Sequence, residues 1–534
     1  LENTCLQGIN VPLFAYHFRE LSVPLKKKGK ILEALSHAVG ILPDSILNLE
    51  VERFALDSRK RSAPHWSYNV KFETAKPLAQ TRWLVPATEK AETLESDVLR
   101  DSVPISKNVT VVGAGPAGLW AALSFARKGF QVNLYEQGNP VEERFQDIRR
   151  FFVERRFNPR SNILFGEGGA GAYSDGKLNT RTRNVYSSAV LADMVHFGIS
   201  RDVLTFAKPH VGTDRLILLL KALRKEFLAL GGKVHFHTAL EDIEISSGNL
   251  SRVNFNGTWQ NADNLILAPG HSARFLYELL HERGVAEESK AFALGVRVEH
   301  PQELINIRQL GKNVNTELTG SAEYALTAKT LGGKSAAYSF CMCPGGVLVP
   351  CVSEEGTLAT NGMSYSKRNG KLANGAIVVP IEKSDSLFGG IEMQRRFEKR
   401  AFELGGKNYS APAQTIRAFL EGKNDSVLPT SSFATGILSC PLREILDDFL
   451  CDSLAEGFEQ FEKKIPGFID NGLIVAPETR TSSPVRIVRN TDTLESVSAK
   501  GLFVIGEGAG YTGGIVTSAA DGIKLANRAK MIIN

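Results

Sequence analysis

NVTVVGAGPAGLWAALSFARKGFQVNLYEQ, residues 108–137, decides the fold. A β-branched run (Val109 to Val112) meets GAGPAG, an apolar-periodic stretch continues to about Arg127, and a second strand is expected from Gln131 to Tyr135. This strand, tight turn, helix and strand carry the G-x-G-x-x-G spacing in the turn. Gly113 allows the sharp exit from the strand, Gly115 lets backbone approach a pyrophosphate, and Gly118 lets helix pack close on strand. Pro116 and Ala117 open the helix, whose free N–H groups and partial positive charge suit phosphates. Glu136, with Gln137 beside it, ends the second strand. Its carboxylate can accept from ribose hydroxyls and would repel a 2′-phosphate, which argues against NADP at this site.

The glycine spacing occurs twice more, at Gly166 to Gly171 and at Gly508 to Gly513. AYSDGKLNTR follows the first of these and has no helical period. The second opens a helix but leaves too little chain for a further strand–helix–strand unit. Only residues 108–137 hold strand, helix, second strand and terminal acid together.

At 534 residues the chain is too long for one core, so several domains are expected. Its 43% hydrophobic and 23% charged residues belong to an ordinary globular protein. The net charge of +5 is small for this length and gives no independent argument for nucleic acid. No apolar run approaches membrane-spanning length; RLILLLKALRKEFLALGG is interrupted by Lys221, Arg224, Lys225 and Glu226. Leu1 is not an initiator, so residues are expected to precede it, and no signal-peptide pattern is visible. Six cysteines form no disulfide framework, which suits a reducing compartment and makes the cytoplasm the expected location.

Residues 1–95 are expected to form a small α+β domain. SVPLKKKGKILEALSHAVGI predicts a helix with Ile31, Leu32, Leu35 and Val39 on one face, and LNLEVERFALDSRK and HWSYNVKFE alternate like strands. Lys26, Lys27, Lys28, Lys30, Arg59, Lys60 and Arg61 make this region basic: either a solvated face or a surface for RNA or protein. A polar linker near 87–104 leads to a first part of the nucleotide domain, 96–274. An inserted α+β domain, expected to shape the substrate side, spans 275–478, and the nucleotide domain resumes over 479–534.

Within the first part, an aromatic, arginine-rich helix leads through the strand-like NILF to a glycine-dense loop, read as cofactor-facing through Gly168, Gly169 and Gly171. GTDRLILLLKALRKEFLALGG predicts a helix capped by Gly212 or Thr213 and by Gly231. His235 and His237 alternate on one strand face, without a third ligand, so no metal site is expected. In the insert, alternation puts Cys341 and Cys343 of SFCMCPGG on one strand face, as a redox pair or as small buried residues. The C-terminal GLFVIGEGAGYTGGIVTSAADGIKLANRAK is strand, glycine turn and helix, with small residues at Ala519, Ala520, Gly522 and Ala526 for close packing.

VVGAGPAG with Glu136, then NADNLILAPG, then GLFVIGEGAGYTGG resemble the three FAD signatures of the glutathione-reductase-like flavoprotein superfamily. The second corresponds to a strand that ends there in Ala-Thr-Gly, here Ala268-Pro269-Gly270. The third usually ends in Gly-Asp, here Gly506-Glu507. FGEGGAGAYSDGKLNTR, APGHSAR, FALGVRVEHP, SFCMCPGG, NGMSYSKRNG, ETRTSSPVRI and GEGAGYTGGI are similar to the FAD-dependent dehydrogenase family of bacteria and plastids known as NAD(FAD)-utilising dehydrogenases. The resemblance covers nearly the whole chain. It implies an α/β fold with a Rossmann-like FAD-binding domain, an inserted substrate domain and non-covalent FAD.

On that resemblance Gly270, Gly506 and Glu507 join the cofactor contacts, with Glu507 on the ribityl hydroxyls. The helix start at Gly513, Gly514 and Ile515 is directed at the ring edge that carries charge on reduction. Lys177, Arg181, Cys343, Arg480 and Arg486 are the catalytic candidates. Arg480 and Arg486, with Thr481, Ser482 and Ser483, form either an anion-binding cluster or a structural turn. With no second dinucleotide unit, NAD(P)H would act only as a transient electron donor. The expected activity is a dehydrogenase or reductase of a small organic substrate; the alternatives are a single-component flavin monooxygenase and an RNA- or protein-binding flavoprotein.

Overall fold

Period-two alternation is realised most plainly in the strand His65–Thr74, where Trp66, Tyr68, Val70 and Phe72 are buried and their neighbours are not. The computed structural model describes residues 13–59, 63–87, 103–179 and 184–532, so Lys60, Arg61, Arg181 and most of the expected linker lie outside the described residues. The described chain forms two compact units.

The first unit comprises the described residues within 1–92 together with 201–209 and 313–320. Its antiparallel sheet runs in the order Leu47–Asp57, His65–Thr74, Phe14–Pro24, Leu84–Pro86. The helix Ile31–Val39 buries Leu35 in the core, whereas Leu32, expected on the same face, is exposed. Phe206 packs on Phe54 at 5.0 Å, and the Phe54 N–H donates to the Thr205 carbonyl at 2.8 Å. The basic residues are partly engaged: Lys28 lies over the Trp66 ring at 4.7 Å, Lys30 pairs with Glu33, and Arg59 pairs with Asp57.

The second unit contains the expected Rossmann-like α/β core. Five parallel strands run in the order Leu502–Val504, Leu265–Leu267, Asn108–Val112, Gln131–Tyr135, Lys233–His235. The three predicted signature strands are therefore immediate neighbours, although they lie far apart in sequence. The helix Pro116–Arg127 packs against the helix Ile515–Arg528, and small residues set how close they come: a Cβ on Gly522 would sit 2.3 Å from the Ala117 carbonyl oxygen. A seven-stranded sheet occupies the middle of the chain, in the order Thr327–Thr330, Ser335–Cys343, Leu372–Ile381, Phe292–Pro301, Leu473–Glu478, Ala411–Thr415, Ile437–Ser439. Only its last pair is parallel. Among the described residues no helix is long and apolar enough to cross a membrane.

Four local expectations are corrected. Asn162 to Phe165 is a turn rather than a strand, closed by the Asn162 N–H on the Phe165 carbonyl. His237 lies beyond the strand Lys233–His235 in a left-handed conformation (φ 55°), so the two histidines share no strand face. Gly231 follows the helix Thr213–Ala229 one residue beyond its C-cap, Leu230. Cys341 has φ 43° and the register shifts between Phe340 and Cys343, which leaves Cys341 exposed and Cys343 buried. A bulge of this kind overrides alternation because it inserts a residue without a partner.

A Cβ on Gly118 would lie 1.9 Å from the Gly113 carbonyl oxygen. Gly118→Ala is expected to destabilise the protein by about 2 kcal/mol or more in urea unfolding, an overpacking penalty. Gly29→Ala, facing open space, should stay within about 0.5 kcal/mol. Glu287 gives a pH test: its side chain is buried, neither carboxylate oxygen has a hydrogen-bond partner, and burial raises it to about 8. A raised carboxyl contributes stability that is full below its unfolded pKa of about 4.5 and is lost as pH climbs through about 8. Glu287→Gln should flatten that decline, being indistinguishable from wild type near pH 4.5 and more stable above pH 8.

Candidate functional site: a glycine-lined nucleotide cradle

Glu136 is buried, and its carboxylate ties three turns together. Oε2 accepts the Ala114 N–H at 2.8 Å, and Oε1 accepts those of Gly138 at 2.9 Å and Gly166 at 3.1 Å. The first glycine turn, the turn after the second strand and the glycine-dense loop thus share one anion. A carboxylate offers about four lone-pair directions, and three of them are taken by these N–H groups. Gly115 sits on the open side of this junction: a Cβ there would meet only the Gly169 Cα, at 4.0 Å. Gly113 is instead pressed against the Ala268 carbonyl, where a Cβ would come to 2.3 Å.

The glycine-dense loop takes its shape from Arg144, whose role sequence reasoning missed. Its guanidinium is fully buried and donates to five carbonyls: Asn162 (2.8 Å), Ile163 (2.9 Å), Gly166 (3.3 Å), Glu167 (2.6 Å) and Gly169 (2.8 Å). Burial works against its charge, and Tyr173 stacks 4.9 Å away. A Cβ on Gly166 would strike the Arg144 Cδ at 2.6 Å. The loop then reaches the cradle: a Cβ on Gly171 would lie 3.2 Å from Ile515 and 3.3 Å from Pro116. Gly168 donates its N–H to the Ala114 carbonyl at 2.7 Å.

The third segment has its own buried acid, also missed. Asp521 accepts the Gly506 N–H at 2.9 Å and pairs with Arg489 at 2.7 Å. The available signal was an aspartate set among Ala519, Ala520 and Gly522, a position that should be apolar on a tightly packed helix. Glu507 approaches His271 at 3.3 Å, and a Cβ on Gly508 would lie 2.9 Å from the Gly270 carbonyl oxygen, so the second and third segments meet. Gly270, Gly513 and Gly514 face open space, and Gly514 is the N-cap of the helix Ile515–Arg528. This fits an extended dinucleotide cofactor: backbone at three adjacent strand ends, with glycine wherever a side chain would occupy the crevice.

The catalytic candidates separate into groups. Lys177 and Cys343 come together: Lys177 pairs with Asp175 at 2.6 Å and donates to the Met342 carbonyl. Burial pushes the Cys343 thiol up, which disfavours the reactive thiolate. Arg480 does not share a cluster with Arg486. It is buried against Glu398, which also binds Arg274, and the two guanidiniums pull Glu398 down to about 2 despite its burial. Thr481 donates to the carbonyl of Ala293 in the strand Phe292–Pro301, and Ser483 donates locally to that of Val485, so one hydroxyl ties the segment to the sheet and the other closes a turn. Arg486 pairs with Glu288 and covers the Tyr511 ring. Ser482 has no role in the described contacts, and Arg181 lies outside the described residues.

Arg144→Lys keeps the charge but loses the planar fan of donors. Amide hydrogen exchange across residues 162–169 is expected to rise by about tenfold or more, from loss of charged hydrogen bonds, with little change across the seven-stranded sheet.

Comparison with known proteins gives three findings. Residues 291–481 match the domain family "FAD-dependent protein, C-terminal domain-like", and residues 108–150 match "Glucose inhibited division protein A". A protein of Clostridium beijerinckii (strain ATCC 51743 / NCIMB 8052), entitled "Uncharacterized protein", is 41% identical over 525 residues, 96% of this chain and 98% of its own. Among solved structures, L-proline dehydrogenase from P. horikoshii aligns at 10% identity and TM-score 0.36 over 79% of this chain and 93% of its own. The flavin-dependent brominase Bmp2 aligns at 10% and 0.35 over 80% and 77%. Likenesses at that level say nothing of chemistry. The chain belongs to the family of the Clostridium beijerinckii protein, and its residues 291–481 match a domain family of FAD-dependent proteins.

Proposed function

We propose that this chain is an FAD-binding oxidoreductase, a dehydrogenase or reductase of a small organic substrate, related to the glutathione-reductase-like flavoproteins. The observation that carries the reading is the set of uncrowded glycines beside three adjacent parallel strands: Gly270, Gly513 and Gly514 face open space, and a Cβ on Gly115 would meet only the Gly169 Cα, at 4.0 Å. In this reading the first turn of the helix Pro116–Arg127 holds the pyrophosphate with its free N–H groups. The remaining lone pair of Glu136 takes a ribose hydroxyl. Glu507, braced by His271, takes the ribityl hydroxyls. The start of the helix Ile515–Arg528 faces the ring edge with its positive end.

Bound FAD supplies a two-electron acceptor for a hydride. The chain's part is to bind and orient it, to keep the glycine-dense loop packed on Pro116 and Ile515, and to offer a substrate side near Lys177. NAD(P)H, in this proposal, docks transiently as electron donor, since residues 108–137 hold the one complete dinucleotide unit found in the sequence.

Purified protein should be yellow, with the absorbance of an oxidised flavin and FAD released on denaturation. Gly115→Val should give folded, colourless protein, because the new side chain fills the pyrophosphate approach; a yellow variant at normal occupancy refutes the placement. Anaerobic mixing with NADH or NADPH should bleach the wild type, and failure of both removes the nicotinamide donor from the proposal.

A further inference from the structure

Asp175 is almost wholly buried and meets two cations at once. Lys177 lies 2.6 Å from Oδ2, and Arg368 donates Nε to Oδ1 at 2.9 Å and Nη2 to Oδ2. The Ser364 hydroxyl also donates to Oδ1. The two cations hold Asp175 well below the usual carboxylate range, and its charge helps keep Lys177 protonated. Burial lowers His210, whose Nε2 meets the Ser366 carbonyl, so it adds no charge at neutral pH. The neighbouring Arg297 and Glu478 pair at 2.8 Å and cancel each other. One positive charge is left over in a half-buried place.

Donors are left over as well. Lys177 has three N–H groups and uses two, on Asp175 and on the Met342 carbonyl. Arg368 uses Nε and Nη2, and its Nη1 has no partner among the described residues. Lys177 keeps about a quarter of its side chain exposed, so a solute can reach it. Its link to Met342 sets the cluster between the glycine-dense loop and the seven-stranded sheet. Gly171, which packs on Pro116 and Ile515, is only six residues back along the chain.

We propose that Lys177 and Arg368 form a subsite for one carboxylate group of the substrate. Two spare donors match two carboxylate oxygens, and one surplus positive charge matches a monoanion. A phosphate dianion would leave one of its charges uncompensated in a place poor in water. The subsite takes its role from the flavin-oxidoreductase reading, but its existence does not depend on that reading.

The test is isothermal titration of the full-length, FAD-loaded protein with sodium benzoate, against sodium phosphate and sodium chloride at matched ionic strength. Saturable benzoate binding at one site per chain is expected. Lys177→Met and Arg368→Met should each weaken it by about tenfold or more, the size of a lost charged hydrogen bond, and Lys177→Arg should largely restore it. Should either methionine variant fail to fold, benzoate protection of Lys177 from amine acylation in the wild type, read by mass spectrometry, replaces it. Yellow protein that shows neither binding nor protection overturns the subsite. So does phosphate binding tighter than benzoate, or benzoate binding seen only after FAD removal, which would assign the charge to the cofactor. Colourless protein that still binds benzoate sinks the flavin reading and leaves the subsite standing.

Discussion

A single buried anion holds the nucleotide cradle together. The Glu136 carboxylate receives N–H groups from Ala114, Gly138 and Gly166, three turns that otherwise share no regular structure. Each is a charge-assisted bond, and removing the acceptor would strand buried donors at about 1–3 kcal/mol apiece. The positions of Gly115 and of the loop that reaches Ile515 follow from this junction. An acid at the end of a second strand is therefore as much an architectural element as a group for a ribose.

The same device recurs with variation. Asp521 does for the Gly506 turn what Glu136 does for the first, with Arg489 neutralising it. Arg144 inverts the logic: a buried cation collects five carbonyls of a loop too rich in glycine to fold on its own propensities. Glycine lets the backbone come close but specifies no conformation, so long charged side chains supply the specification. Elsewhere Glu398 between Arg274 and Arg480 joins the helix Arg274–Glu282 to the turn after the strand Leu473–Glu478. Breaking such a buried pair from one side leaves an uncompensated charge, so Arg480 acts as part of the frame.

Residues 108–137 determined a great deal by themselves. Apolar period, glycine spacing and terminal acid are local signals, and strand, turn, helix and strand came out where they were expected. The strings FALGVRVEHP, SFCMCPGG and NGMSYSKRNG likewise resembled FAD proteins, and they lie within residues 291–481, which match a domain family of FAD-dependent proteins. Alternation in HWSYNVKFET was equally legible. Where a residue's neighbours in space are its neighbours in sequence, the pattern suffices.

Tertiary structure decided what depends on partners far along the chain. Nothing near Arg144 announces that residues 162–169 will wrap it, and NILF looked like a strand because its apolar residues were destined for burial in a turn. Arg480 and Arg486 sit six apart in one polar segment, yet one faces Glu398 and the other Glu288. Cys341 and Cys343 were separated by a bulge that alternation cannot register. Lys177 and Arg368 share Asp175 across 191 positions. A one-dimensional pattern records which side of an element is apolar; which charge meets which is fixed only when distant segments are brought within hydrogen-bonding reach in a medium too dry to leave either unpaired.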